Sequence, residues 1–253
     1  MPFGAIADPW FYAVAAPAVL LVGISKGGFA GGFGMLGVPL MALVVSPLEA
    51  AAVLLPILIV MDMQGLWVYR GQWRGDVLKV LIPAAALGIG FGWATAGLVD
   101  EAAVRLIIGL IAISFALNHW TGGAIFRDKG GARHGGFWGA VAGFTSFVSH
   151  AGGPPFQVYA LRLGLDKMIY VGTSVYFFAA INLIKLGPYI AIGSLDLSEL
   201  GTALILMPLA PIGMLTGIKL LKIVPQEPFY RIAYIGLFLA GLKLVWDGAS
   251  AIL

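Results

Sequence analysis

The sequence predicts an all-α polytopic membrane protein made of two inverted repeats, each a re-entrant or broken Gly-rich hairpin plus three transmembrane helices. Three observations carry this. The 253 residues are 60% hydrophobic and 11% charged, with a mean hydropathy of +0.97, whereas a soluble domain carries roughly 25% charge. The apolar residues fall in long blocks without ten-residue alternation, which favours helices over a β-barrel. Two glycine-rich breaks interrupt these blocks, one in each half: Ser25-Lys26-Gly27-Gly28-Phe29-Ala30-Gly31-Gly32-Phe33-Gly34, and Ser149-His150-Ala151-Gly152-Gly153-Pro154-Pro155.

The elements follow in order. Residues 10–45 hold the first break and are expected to form a hairpin or two thin crossings. Segments 48–69, 77–97 and 103–119 are long enough to span, since a crossing needs about 20 apolar residues and no fewer than about 17. Residues 136–161 hold the second break. At 26 residues they allow one crossing or a re-entrant hairpin but not two spans, and the Gly-Gly-Pro-Pro turn favours the hairpin. Segments 168–189, 199–219 and 229–250 complete the set. The whole chain, 1–253, reads as one transmembrane domain, with repeat 1 at about 10–120 and repeat 2 at about 136–250.

Charge sets the orientation. Arg70, Arg74, Lys79, Arg127, Lys129, Arg133, Arg162, Lys167, Lys219, Lys222 and Arg231 cluster in alternate loops, which the positive-inside rule places in the cytoplasm. The other loops carry Asp8, Glu49, Asp100, Glu101, Asp196 and Glu199, with Arg105 the exception. Alternation then works without conflict and leaves both termini outside. The halves also repeat: Leu81-Ile82-Pro83 and Gly88 recur 125 positions on as Leu206-Met207-Pro208 and Gly213, and Ile108-Gly109-Leu110 recurs 127 on as Ile235-Gly236-Leu237. Equivalent loops bear opposite charge, so the second copy is inverted, as an odd number of spans per half requires.

Several classes are disfavoured. No Lys or Arg precedes Lys26, so a cleaved leader is not expected. Cysteine is absent, which removes disulfides and thiolate metal sites, and neither a cofactor nor a metal is expected. The net charge of +3 reports topology rather than nucleic-acid binding. No GxxxxGK[ST] run is present. Ser149-His150 is no catalytic dyad, because neighbours on a helix point about 100° apart. Trp67, Trp73, Trp120 and Trp138 read as interface belts.

A basic group and bare backbone inside a membrane are costly, and are tolerated where they line a cavity. Lys26 is the sharpest candidate for substrate contact; the alternative is a lysine snorkelling to the interface. His150, at the second break, supplies a titratable imidazole, against the alternative of a satisfied core histidine. Gly27, Gly28, Gly31, Gly32 and Gly34, and Gly152, Gly153 and Pro154, are expected to hold backbone close to the substrate. Short helices beginning near residues 34 and 155 are expected to aim their N-termini at an anion. Asp62 is the only carboxylate well inside an apolar span, and Asn182 stands 120 positions after it. Asp62 either pairs with a basic residue or carries a coupling ion, proton or sodium. Gln157, Thr173, Ser174 and Lys185 are further lining candidates. Gly88, Gly92, Gly213 and Gly217 read as packing positions.

The chain resembles the TauE/SafE family of membrane permeases, the sulfite exporter or toluene-sulfonate uptake family. The residues that carry the likeness are Gly23-Ile24-Ser25-Lys26-Gly27-Gly28-Phe29 with Gly34-Met35-Leu36-Gly37-Val38-Pro39, then Gly143-Phe144-Thr145-Ser146-Phe147-Val148-Ser149-His150-Ala151-Gly152-Gly153-Pro154-Pro155-Phe156-Gln157, and Tyr170-Val171-Gly172-Thr173-Ser174. Pro154-Pro155 stands where the family form is richer in glycine. The resemblance implies secondary transport, in the bacterial inner membrane, of small sulfur-containing anions such as sulfite or organosulfonates, with no enzymatic activity. Two other classes fit less well. An intramembrane enzyme acting on lipid phosphate would want acids and arginines at the breaks, and a receptor or assembly subunit would not need two basic ones.

Overall fold

The computed structural model describes residues 5–30, 34–95, 98, 100–121, 131–192 and 197–252. Gly31, Gly32 and Phe33 of the first break, the 122–130 loop and Asp196 lie outside that set. The described residues form helices and turns, with no strand among them. In chain order these are α1 (Pro9–Gly28), a 3-10 turn (Gly34–Leu36), α2 (Gly37–Met41), α3 (Pro47–Val68), α4 (Gly75–Ala94), α5 (Glu101–Trp120), α6 (Ala132–Ser149), α7 (Gly153–Ala160), α8 (Lys167–Ala191), α9 (Leu197–Leu206), α10 (Leu209–Ile223) and α11 (Gln226–Ile252).

Side-chain caps start several of these helices. Asp8 accepts from the Trp10 amide at 2.9 Å and Pro9 follows it. Ser46 accepts from Glu49 at 3.2 Å, again ahead of a proline. Asp100 accepts from Ala102 at 2.9 Å, and Asp166 from Met168 at 2.8 Å. Each cap satisfies an amide the helix leaves without an internal partner. Two acids counted toward the outer face, Asp8 and Asp100, are therefore also capping residues.

Among the described residues, five helices are long and apolar enough to cross a membrane: Pro9–Gly28, Glu49–Val68, Gly75–Ala94, Lys167–Ala191 and Gln226–Ala251. Ser198–Leu206 and Leu209–Ile223, bent by 47° at their junction, give a sixth span where the pair is taken as one. The bend falls at Pro208, which has no N–H to continue the ladder. In α4 the equivalent Pro83 lies inside an unbroken helix of 20 residues. One expectation shifts. The first arm of residues 10–45 is a helix of full spanning length, whereas α2 after it has five residues, about 7.5 Å, and crosses nothing. Helix α5, Glu101–Trp120, has 20 residues, about 30 Å, which is the length of a crossing.

Glycine sets the helix pairing. Helix α1 lies on α10 and α6 on α4, so close that a Cβ on Gly217 would stand 2.3 Å from the Ile24 carbonyl oxygen and one on Gly88 2.0 Å from that of Ala140. Helix α5 pairs with α11 through Gly109 and Gly241, and α3 lies on α8. Contacts between α1 and α3 recur between α6 and α8 at a spacing of 120 positions. The Tyr69 hydroxyl donates to the Gly27 carbonyl, and the Tyr189 hydroxyl to that of Phe147. Among the described residues, the two non-glycine positions with positive φ are Ala30 (52°) and His150 (53°). On this spacing the counterpart of Lys26 is Ser146, and that of His150 is Ala30.

Candidate functional site

Polar groups gather where the ends of α1 and α6 meet the middle of α3 and α8. Lys26 lies in the last turn of α1 and is 5% exposed. Its Nζ is 2.6 Å from Asp62 Oδ1 and donates to the Leu58 carbonyl at 3.4 Å. Asn182 Nδ2 donates to the other Asp62 oxygen at 2.8 Å. So Asp62 and Asn182, paired by sequence spacing, touch each other. Three residues further along α8, Lys185 is 1% exposed. Its Nζ donates to Ser146 Oγ at 3.0 Å and to the Ser146 carbonyl at 3.3 Å. Its recorded partners are thus uncharged, whereas Lys26 has a carboxylate.

His150 ends α6 in the left-handed region, a conformation that costs a non-glycine residue about 1–2 kcal/mol. It reverses the chain so that the Ala151 amide returns to the Thr145 carbonyl at 3.1 Å, and α7 begins at Gly153. The imidazole Nδ1 lies 3.3 Å from the Tyr189 hydroxyl, while Nε2 is buried with no hydrogen-bond partner.

These groups line one partly open cavity. Lys26, Ser146, His150, Asn182 and Lys185 supply its polar wall, Gly34 and Gly153 its bare backbone, and Leu58 and Phe178, again 120 positions apart, part of its apolar wall. Asp62 sits one layer back, behind Lys26 and Asn182.

The remaining expected site residues have other surroundings. A Cβ on Gly27 would stand 2.4 Å from the Met214 carbonyl oxygen, and one on Gly28 2.4 Å from that of Gly217, so both glycines admit α10. Gly152 has φ −71° and faces Ala142 and Ser146 of α6. Pro154 is buried in the first turn of α7, and Gln157 is buried there with Oε1 unpartnered. Thr173 Oγ1 accepts from the Arg74 amide at 3.0 Å, tying α8 to the start of α4. Ser174 is buried in α8. Gly31 and Gly32 lie outside the described residues. Of the two short helices, α7 presents its first residue to the cavity. With five residues after a 3-10 turn, α2 is too short to offer a comparable dipole.

Sequence reasoning did not single out Ser146 or Tyr189. The spacing that links Asp62 to Asn182 would have found both, since it carries Lys26 to Ser146 and Tyr69 to Tyr189.

Fold and site together define a multi-pass α-helical membrane protein with a mixed-charge cluster buried among its helices. The chain belongs to the family described as "Sulfite exporter TauE/SafE", whose model matches residues 15–244, and it is accordingly a membrane transporter. No curated protein and no solved structure matches it.

Proposed function

We propose that the protein is a secondary permease of the bacterial inner membrane for small sulfur-containing anions, sulfite or organosulfonates, which bind in the cavity between the two chain breaks. The observation that carries this reading is Lys185. An ammonium buried to 1% exposure and held only by a serine is poorly compensated. The Lys26–Asp62 pair is neutral as a unit, so with Lys185 protonated the cluster holds one positive charge in excess, and an anion is the ligand that balances it. Ser146, Asn182 and the Gly153 amide add donors suited to an oxyanion, whereas Pro154 and Pro155 after it have no N–H to offer. The recurrence of contacts at 120 positions supports a repeat of the whole unit, and the exchanged pairing of α1 with α10 and of α6 with α4 suits an inverted one.

The test is flux into liposomes holding the purified protein, with sulfite, methanesulfonate, sulfoacetate, chloride and a sugar outside. Uptake of the sulfur oxyanions is expected, and Lys185→Gln should lower it at least about thirtyfold, corresponding to about 2 kcal/mol of lost charge compensation. Equal flux of the sugar, or an unaffected Lys185→Gln variant, would refute the reading.

A further inference from the structure

The charges around the cavity can be counted, and the count says what must accompany the cargo. On the reading that the cavity takes an anion, we infer that Asp62 takes up a proton when a doubly charged anion binds, so that dianions move with a proton and monoanions without one.

The charged groups facing Asp62 are Lys26 from α1 and Lys185 from α8, the same helix that supplies the neutral Asn182. Helix α2 has no ionisable residue. Helices α9 and α10 carry theirs, Glu199, Lys219 and Lys222, toward their ends, and on α3 itself the other acid is Glu49 in the first turn. His150 stands on the cavity wall. With Lys185 protonated as well as Lys26, two ammonium groups and one carboxylate leave one positive charge. A monoanion cancels it. A dianion leaves one negative charge in excess, which a buried site does not tolerate. One proton removes the excess.

Asp62 is the place for that proton. It is the carboxylate of the cluster, and its protonation breaks the ion pair that holds Lys26. The ammonium already lines the cavity, so once freed it faces the cargo together with Lys185, two cations for two negative charges. Asn182 keeps its bond to the second carboxyl oxygen. A proton on His150 would instead leave Lys26 committed to Asp62. The balance is simple: Asp62 Oδ1 gains a proton as the dianion enters and returns it as the dianion leaves.

The experiment uses the full chain in liposomes with a pH-sensitive dye inside and the membrane potential clamped at zero. Sulfoacetate is the dianion probe and methanesulfonate the monoanion probe. The parent should carry about one proton inward per sulfoacetate and none with methanesulfonate. Its sulfoacetate affinity should fall by up to about tenfold per pH unit above the titration of the carboxyl group, with methanesulfonate affinity flat. Asp62→Asn mimics the protonated carboxyl, so it should carry sulfoacetate without a proton and independently of pH, whereas His150→Gln should keep the parent's proton ratio. Sulfoacetate entry without a proton, entry that follows a sodium gradient, or an Asp62→Asn variant that still moves one proton would each overturn the inference. Should Asp62→Asn fail to insert, the parent's contrast between the two probes decides. If neither anion crosses, the permease reading itself falls, and the inference with it; if both cross without a proton, only the inference falls.

Discussion

At the scale of residues, the decisive feature is that two buried lysines are treated differently. Lys26 has Asp62 at 2.6 Å; Lys185 has the two oxygens of Ser146. Removing one member of a buried pair strands the other, at a cost of about 3–5 kcal/mol, whereas removing both is often near neutral. Lys26→Gln should therefore lower the thermal unfolding midpoint of the purified protein, and adding Asp62→Asn should recover most of the loss. Additive losses would mean the pair is not coupled as its geometry says. Asp62, the one carboxylate deep in an apolar span, and its counterpart Asn182 were legible in the sequence because burial of charge needs a reason. The partners were not. Which lysine meets Asp62 depends on how far α1 rises past α3, and hydropathy has no term for that. His150 was legible as polar within a break. Its left-handed backbone was not, because the usual mark of that conformation is glycine and this position is not one.

At the scale of elements, glycine serves two purposes that look alike in a sequence. Gly23, Gly28, Gly213 and Gly217 let α1 and α10 touch backbone to backbone; Gly34 leaves room beside the cavity, where an added Cβ would meet nothing nearer than Ser25 Oγ at 3.9 Å. Composition marks both as glycine-rich breaks, which is why Gly27 and Gly28 were expected beside the substrate and lie instead under α10. The distinction is measurable. Gly217→Ala would push a methyl to 2.3 Å from the Ile24 carbonyl oxygen and should cost about 1–3 kcal/mol of stability. Gly90→Ala, with open space around it, should be neutral or stabilise by up to about 1 kcal/mol, through helix propensity. Thermal denaturation in detergent reports both. Equal midpoints for the two variants would mean that α1 and α10 do not pack this closely.

At the scale of the whole molecule, the proposed repeat rests on two kinds of spacing. The loop charges and the Leu-Ile-Pro and Leu-Met-Pro motifs suggested it, but at spacings of 125 and 127, whereas the site repeats at 120. The difference lies in insertions between the site helices and their partners, and a sequence without its contacts cannot say which spacing governs the site. Orientation is an argument from charge alone, and capping weakens it, since Asp8 and Asp100 would sit at their helix starts on either side of the membrane. Arg74 is free of that ambiguity: it is exposed beside Asp76 at the start of α4, and its side chain makes no capping bond there. If basic loops are cytoplasmic, α4 runs outward from its start beside Arg74, and Leu98, beyond its far end, is 84% exposed. The chain has no cysteine, so one can be introduced without background. A membrane-impermeant maleimide should label Leu98→Cys in intact cells and reach Arg74→Cys only after lysis. The reverse pattern would turn the molecule over and put both termini in the cytoplasm. Labelling of both from one side would mean that α4 does not cross, and the exchange of α4 and α10 between repeats would lose its footing.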